Sequence, residues 1–165
     1  MESNLNPIEG IWSRIRGYNC FGCAPQNEIG LNLKFYEDEQ GIHSHFNLGQ
    51  MYSSYPGVVH CGIVATILEE VMGNVLVIKA KRLGFTLRLS LKYVGPVLTG
   101  KDYSVRAKIK DMGNGFPELE GRIYDEQGGL IVKASGIYKV MTAQEAMKVM
   151  DITEATTGEF SYLLE

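Results

Sequence analysis

What this sequence lacks narrows it first. The opening residues, MESNLNPIEGIW, hold no basic stretch followed by an apolar run, so no secretory signal is legible. The apolar stretches read as falling short of the ~20 residues that span a bilayer, which predicts no membrane partner. Cysteine is scarce and odd in number, three in 165 residues. That argues against a closed disulfide framework and for a reduced, cytoplasmic setting. Positive charge is not in excess: 16 Lys and Arg stand against 19 Asp and Glu, a formal net charge of −3. Nucleic-acid binding, driven by Lys and Arg on phosphate, is therefore disfavoured, although a phosphate-bearing small molecule needs only a local cluster. There is no internal repeat and no Gly-x-Ser-x-Gly elbow of a serine hydrolase. Gly113-Asn114-Gly115 lacks the Lys-Ser/Thr ending of a phosphate loop and reads as a hairpin turn.

What is present suits one globular domain over 1–165, with its core at about 29–140, a lead-in at 1–28 and a helix and tail at 141–165. Leu31, Leu33 and Phe35 alternate with polar neighbours and predict a strand that ends at the acidic turn 37–41. Residues 42–48 predict its return. After the breaker pair Pro56-Gly57, Ile63, Val64, Ile67, Leu68, Val71, Met72, Val75 and Leu76 recur at helical spacing from about 61 to 80. A helix apolar over so much of its circumference belongs in a core. Four strand-like runs follow, at 84–94, 102–111, 117–125 and 129–140, separated by Gly-rich turns. A second helix at about 142–150 starts at Thr142, with Glu145 placed as in a capping box. The order predicts an α+β fold, an antiparallel sheet wrapped around one long helix.

The chemistry-bearing stretch runs from Tyr55 to Gly73, YPGVVHCGIVATILEEVMG. It resembles the helix entry of hotdog-fold thioesterases, His-Gly-Gly followed by an acidic residue nine positions after the His. Here that pattern falls on His60, Cys61, Gly62 and Glu69. The run Thr86 to Pro96 is similar to the family's next strand, with its Tyr-x-x-Pro turn. The resemblance covers roughly 29–140 and implies a hotdog fold, acyl-CoA thioester hydrolysis, no cofactor beyond the coenzyme A of the substrate, and active sites at a dimer interface. It makes Glu69 the catalytic carboxylate. Thr86 matches a position where a hydroxyl assists, and Ser54 one where some members position water with an amide.

The residues point to a site on their own account. At helical rotation Gly62, Ala65, Thr66, Glu69 and Gly73 share one side, opposite Val64, Ile67 and Val71. Small residues flanking a carboxylate leave room for a ligand or another chain. The bland reading makes Glu69 as solvated as Glu70 beside it. Thioester hydrolysis also needs donors for the oxyanion, and the N–H groups of Cys61 and Gly62 at the helix start can supply them. Cys61 and Glu69 stand about 12 Å apart along the helix axis, too far to meet on one carbonyl. The site should therefore be shared between protomers of a homodimer or homotetramer.

Cys61 replaces the motif's glycine but keeps the backbone donor, and Glu69 stands where many members carry Asp. His60 either contacts substrate or holds the turn. Cys20-Phe-Gly-Cys23 with His43 and His45 could make a zinc site. The geometry is open, however, and the expectation is no metal, with a structural role for the cysteines. Lys79, Lys81, Arg82 and Arg88 form a basic group that could reach the phosphates of coenzyme A. The alternative function is a sensor or carrier that binds acyl thioesters without hydrolysing them.

Overall fold

The structure is a computed structural model that describes residues 6–8 and 17–150. Seven strands and two helices follow one another as β1 (Asn6–Pro7), β2 (Phe35–Glu37), β3 (Ile42–Phe46), α1 (Cys61–Ala80), β4 (Gly84–Tyr93), β5 (Tyr103–Asp111), β6 (Glu118–Asp125), β7 (Leu130–Val140) and α2 (Ala143–Met150). The strands make one antiparallel sheet in the order β1-β2-β3-β5-β6-β7-β4. This is the predicted hotdog arrangement of an antiparallel sheet around a long central helix.

The 20 residues of α1 extend about 30 Å. Val64, Ile67, Leu68, Val71, Met72 and Val75 are almost wholly buried, meeting Ile42, Val105, Leu119, Ile123 and Val132 of the sheet. The helix lies close enough that a Cβ on Gly121 of β6 would sit 2.9 Å from both Leu68 Cδ2 and Met72 Sδ. Glycine is what lets the backbone of β6 approach. The expectation that no apolar run reaches membrane-span length needs correcting, because α1 is long and apolar enough by length and composition. Its apolar surface is spent on the sheet instead.

The other departures lie near the N-terminus. The expected strand residues 31–34 are not in a strand: the Leu31 N–H donates to Phe21 O at 2.7 Å and the Leu33 N–H to Gly22 O at 3.0 Å. Leu31 and Leu33 alternate into the core because the lead-in loop pairs with them, not because β3 does. Asn32 between them takes a left-handed φ of 51°. The capping box is formed: Glu145 N–H donates to Thr142 Oγ1 at 3.2 Å and Thr142 N–H to Glu145 Oε2 at 3.0 Å. Residues 151–165 of the expected tail lie outside the described residues.

Candidate functional site

The strip of small residues predicted on α1 is its least buried side. Gly62 is exposed, while Ala65, Thr66, Glu69 and Gly73 are half-buried. From that strip Glu69 reaches β4, where Thr86 Oγ1 donates to Glu69 Oε1 at 2.6 Å. Thr86 occupies an irregular point of the strand. Thr86 pairs with Tyr138 and Arg88 with Ile137, so Leu87 is bulged out between them. Bulges re-aim side chains, and this one adjoins the hydroxyl that holds the carboxylate. A cavity of about 470 Å³ opens beside it, walled by Glu69, Glu70, Gly73, Asn74, Cys20 and Gly84 among others.

The helix start lies two turns away. His60 is its N-cap, and its Nδ1 accepts from the Gly62 N–H at 2.9 Å. Of the two alternatives for His60, the turn-holding contact is the one present. Gly62 N–H is thereby occupied, whereas Cys61 N–H has no acceptor among the described residues. Tyr93 Oη donates to Cys61 O at 2.8 Å and fastens this first turn to the far end of β4. The Cys61 side chain is exposed. Ser54 sits in the exposed turn ahead of the helix, its N–H donating to Val58 O at 2.9 Å, and does not line the cavity that Glu69 does.

Glu70 corrects the solvated reading. It is packed under the lead-in loop, where Cys20 Sγ lies 3.3 Å from its Oε2 and Asn74 Nδ2 donates to its Oε1 at 3.2 Å. A Cβ on Gly22 would stand 2.5 Å from the Glu70 carboxyl carbon, so a side chain there would displace the carboxyl group. Burial pushes the Glu70 carboxyl up to about 7. The two cysteines divide their protons unequally. Hydrogen bonds from Cys23 and from Gly22 N–H pull the Cys20 thiol down, while donation to Cys20 and burial push Cys23 up. Tyr18 Oη completes the group, 2.8 Å from Cys23 Sγ. Sequence reasoning missed Glu70 and Asn74. Their spacing of four on a buried helix was the signal available, since polar side chains stacked there need a partner.

The zinc grouping of Cys20 and Cys23 with the two histidines does not form. His43 is buried on β3 and bonds Asp38, Nε2 to Oδ2 at 2.6 Å, while His45 is exposed against Tyr36. The cysteines gather with Glu70 instead. The basic group is likewise divided. Lys79 Nζ is engaged on the β2–β3 turn through Asp38 O at 2.6 Å and Glu37 Oε2 at 3.6 Å. Arg82 donates to Lys81 O at 3.2 Å. Arg88 stands exposed on β4.

The sequence pattern of the Thioesterase superfamily matches residues 56–132, which run from the turn before α1 into β7. No curated protein matches the chain. Among solved structures, a thioesterase superfamily protein shares 22% identity at a TM-score of 0.65, the match covering 70% of this chain and 57% of that one. A hypothetical thioesterase protein of Streptococcus pneumoniae, solved with coenzyme A, shares 19% identity over 67% of this chain and 86% of its own, at a TM-score of 0.61. A Streptococcus mutans protein bound to acetyl CoA shares 16% identity over 73% and 97%, at a TM-score of 0.63. These likenesses are of fold.

Proposed function

We propose that this chain of hotdog fold is a member of the thioesterase superfamily, whose pattern matches residues 56–132, and that it hydrolyses acyl-CoA thioesters in the cytoplasm as a homo-oligomer. The observation that carries the reading is the Glu69 carboxylate held by Thr86 at the mouth of a cavity on an otherwise apolar helix. In the reaction Glu69 either takes a proton from water, whose oxygen attacks the thioester carbonyl, or attacks that carbonyl itself to give an acyl anhydride that water cleaves once the thiol has left, regenerating the carboxylate. The C–S bond then breaks, and the departing coenzyme A thiolate takes a proton. The unengaged Cys61 N–H is the donor for the developing oxyanion, helped by the positive end of the helix dipole. His60 and Gly62 preset that turn. Coenzyme A enters only as part of the substrate, in keeping with the ligands of the two streptococcal neighbours.

Glu69 and the Cys61 N–H lie about 12 Å apart along one helix, so the reading requires the donor to come from a second copy. The outer edge of β4 supports such an assembly. It is an edge of the sheet, and Phe85, Leu87, Tyr93 and Val94 along it are exposed. Unpaired, apolar edges invite strand addition. Sedimentation should find a dimer or tetramer, and a monomer fully active at nanomolar concentration would overturn the shared site.

One observation favours the second reading, binding without hydrolysis. His60 already occupies the Gly62 N–H, which leaves one backbone donor where two were expected. Thiol release across short, medium, long and aromatic acyl-CoAs decides between the readings. Thermal stabilisation without thiol release would select the binding protein.

A further inference from the structure

Beside the Glu69 site, and opening on the same cavity, lies a cluster built from two chain segments, the lead-in loop and α1. Cys20 Sγ, Cys23 Sγ and a Glu70 carboxylate oxygen all lie within 4.8 Å of one another. We propose that Cys20, Cys23 and Glu70 bind one thiophilic divalent cation, zinc, which pins the lead-in loop to α1.

The Cys20–Glu70 separation is close to what tetrahedral zinc demands. Bonds of about 2.3 Å to sulfur and about 2.0–2.2 Å to oxygen place a sulfur and an oxygen ligand about 3.5 Å apart. Cys20 Sγ and Glu70 Oε2 are 3.3 Å apart. Each donor atom also carries an outer partner that fixes its direction, as ligands of metal sites do. Gly22 N–H donates to Cys20 Sγ at 3.2 Å, Tyr18 Oη lies 2.8 Å from Cys23 Sγ, and Asn74 Nδ2 holds the other Glu70 oxygen at 3.2 Å. Asn74 is buried and also donates to Glu70 O at 2.9 Å, so the carboxylate is oriented from the helix side. A side chain at position 22 would have to push the Glu70 carboxyl aside.

No basic side chain among the described residues pairs with Glu70. A Cys20–Cys23 disulfide would leave that carboxylate packed against sulfur with the Asn74 amide as its hydrogen-bond donor. A divalent cation bound by both thiolates and the carboxylate offsets two of their three negative charges. Cys20 and Glu70 line the 470 Å³ cavity, so the fourth position of the metal is reached from there by water. With one position open and three protein ligands, the site has the ligand count of Cys/Glu zinc centres rather than of a closed four-ligand clip. The expectation of no metal weighed the cysteines with histidines on β3. Glu70 is the partner that grouping omitted.

The test uses the full chain, reduced and stripped with a chelator, and reads metal rather than turnover, so its outcome is separable from the thioesterase reading. Titration with Co²⁺ should give one ion per chain, with thiolate-to-cobalt charge-transfer absorption in the near ultraviolet that one equivalent of Zn²⁺ abolishes. The double variant Cys20→Ser, Cys23→Ser should lose that band. Glu70→Gln should keep a cysteine-derived band and weaken zinc by about tenfold or more. Absence of the band in wild-type protein whose three thiols are all titratable overturns the site. A weakening smaller than tenfold in Glu70→Gln overturns Glu70 as a ligand. Because the wild-type titration stands alone, misfolding of a variant leaves the proposal testable.

Discussion

Glu69 and Glu70 are adjacent in the chain and differ by about 100° of helix rotation, and their surroundings have little in common. Glu69 leaves the small-residue side of α1, half-buried, and takes one hydrogen bond from a strand hydroxyl. Glu70 leaves the side covered by the lead-in, beneath a glycine and between an amide and a thiol. The first carboxylate keeps a face towards open space, as a group must if it is to meet a reactant. The second, though it lines the same cavity, is packed beneath its own lead-in loop, as a group must be if it is to hold that loop in place. The difference teaches that a helix buried by a wrapped sheet can serve chemistry on one flank and anchorage on the next.

The widest separation of the pair should come from amides at both positions. Glu69→Gln should lower kcat by about 10²–10⁴-fold, measured by thiol release, with the melting temperature held to within a degree or two. An undiminished rate would break the comparison at its active half. Removing the hydroxyl while keeping its shape, Thr86→Val, should cost about 1.5–3 kcal/mol of carboxylate hydrogen bond, or roughly 10–100-fold in kcat/KM. A change confined to KM would recast Thr86 as a substrate contact.

On the anchoring side, Gly22→Ala places a Cβ 2.5 Å from the Glu70 carboxyl carbon. It should destabilise the fold by about 1–3 kcal/mol in denaturant unfolding. Glu70→Ala, which removes the clashing atoms, should soften that penalty when combined with it, giving a non-additive double-mutant cycle.

The smallest expected effect lies away from both carboxylates. Burial lowers the His43 pKa against the opposing pull of Asp38, with Arg106 and His45 adding to the lowering, and backbone donors lower that of Asp38. A His pKa below its unfolded value means that the unfolded chain binds the extra proton first. Stability should therefore fall as pH drops below ~6.5, and fall again as Asp38 protonates below ~3.8. His43→Gln should flatten the first decline in a melting-temperature series from pH 7 to 5.

Much of this could be read before any coordinates. The helix at 61–80 and the four following strands announce themselves by period and by Gly-rich turns, because there local preference and burial agree. Leu31 and Leu33 misled because alternation reports which residues are buried, not which partner pairs with them. Here the partner is a loop with no period of its own. The resemblance singled out Glu69 and Thr86 separately; the hydrogen bond between them was not anticipated. Nor was Glu70, since its environment depends on how residues 18–23 fold back over α1, a contact fifty positions apart that no local pattern encodes. The bulge at Leu87 was equally silent.

The burial of α1 carries a consequence for synthesis. Its 20 apolar-rich residues leave the ribosome before the strands at 84–140 that will cover them. At about 5–20 residues per second, the sixty residues after α1 take roughly 3–12 seconds to make. For that interval the nascent chain displays a segment with the length and composition of a membrane anchor. It should be a ready client for holdase chaperones and targeting factors until translation reaches β7.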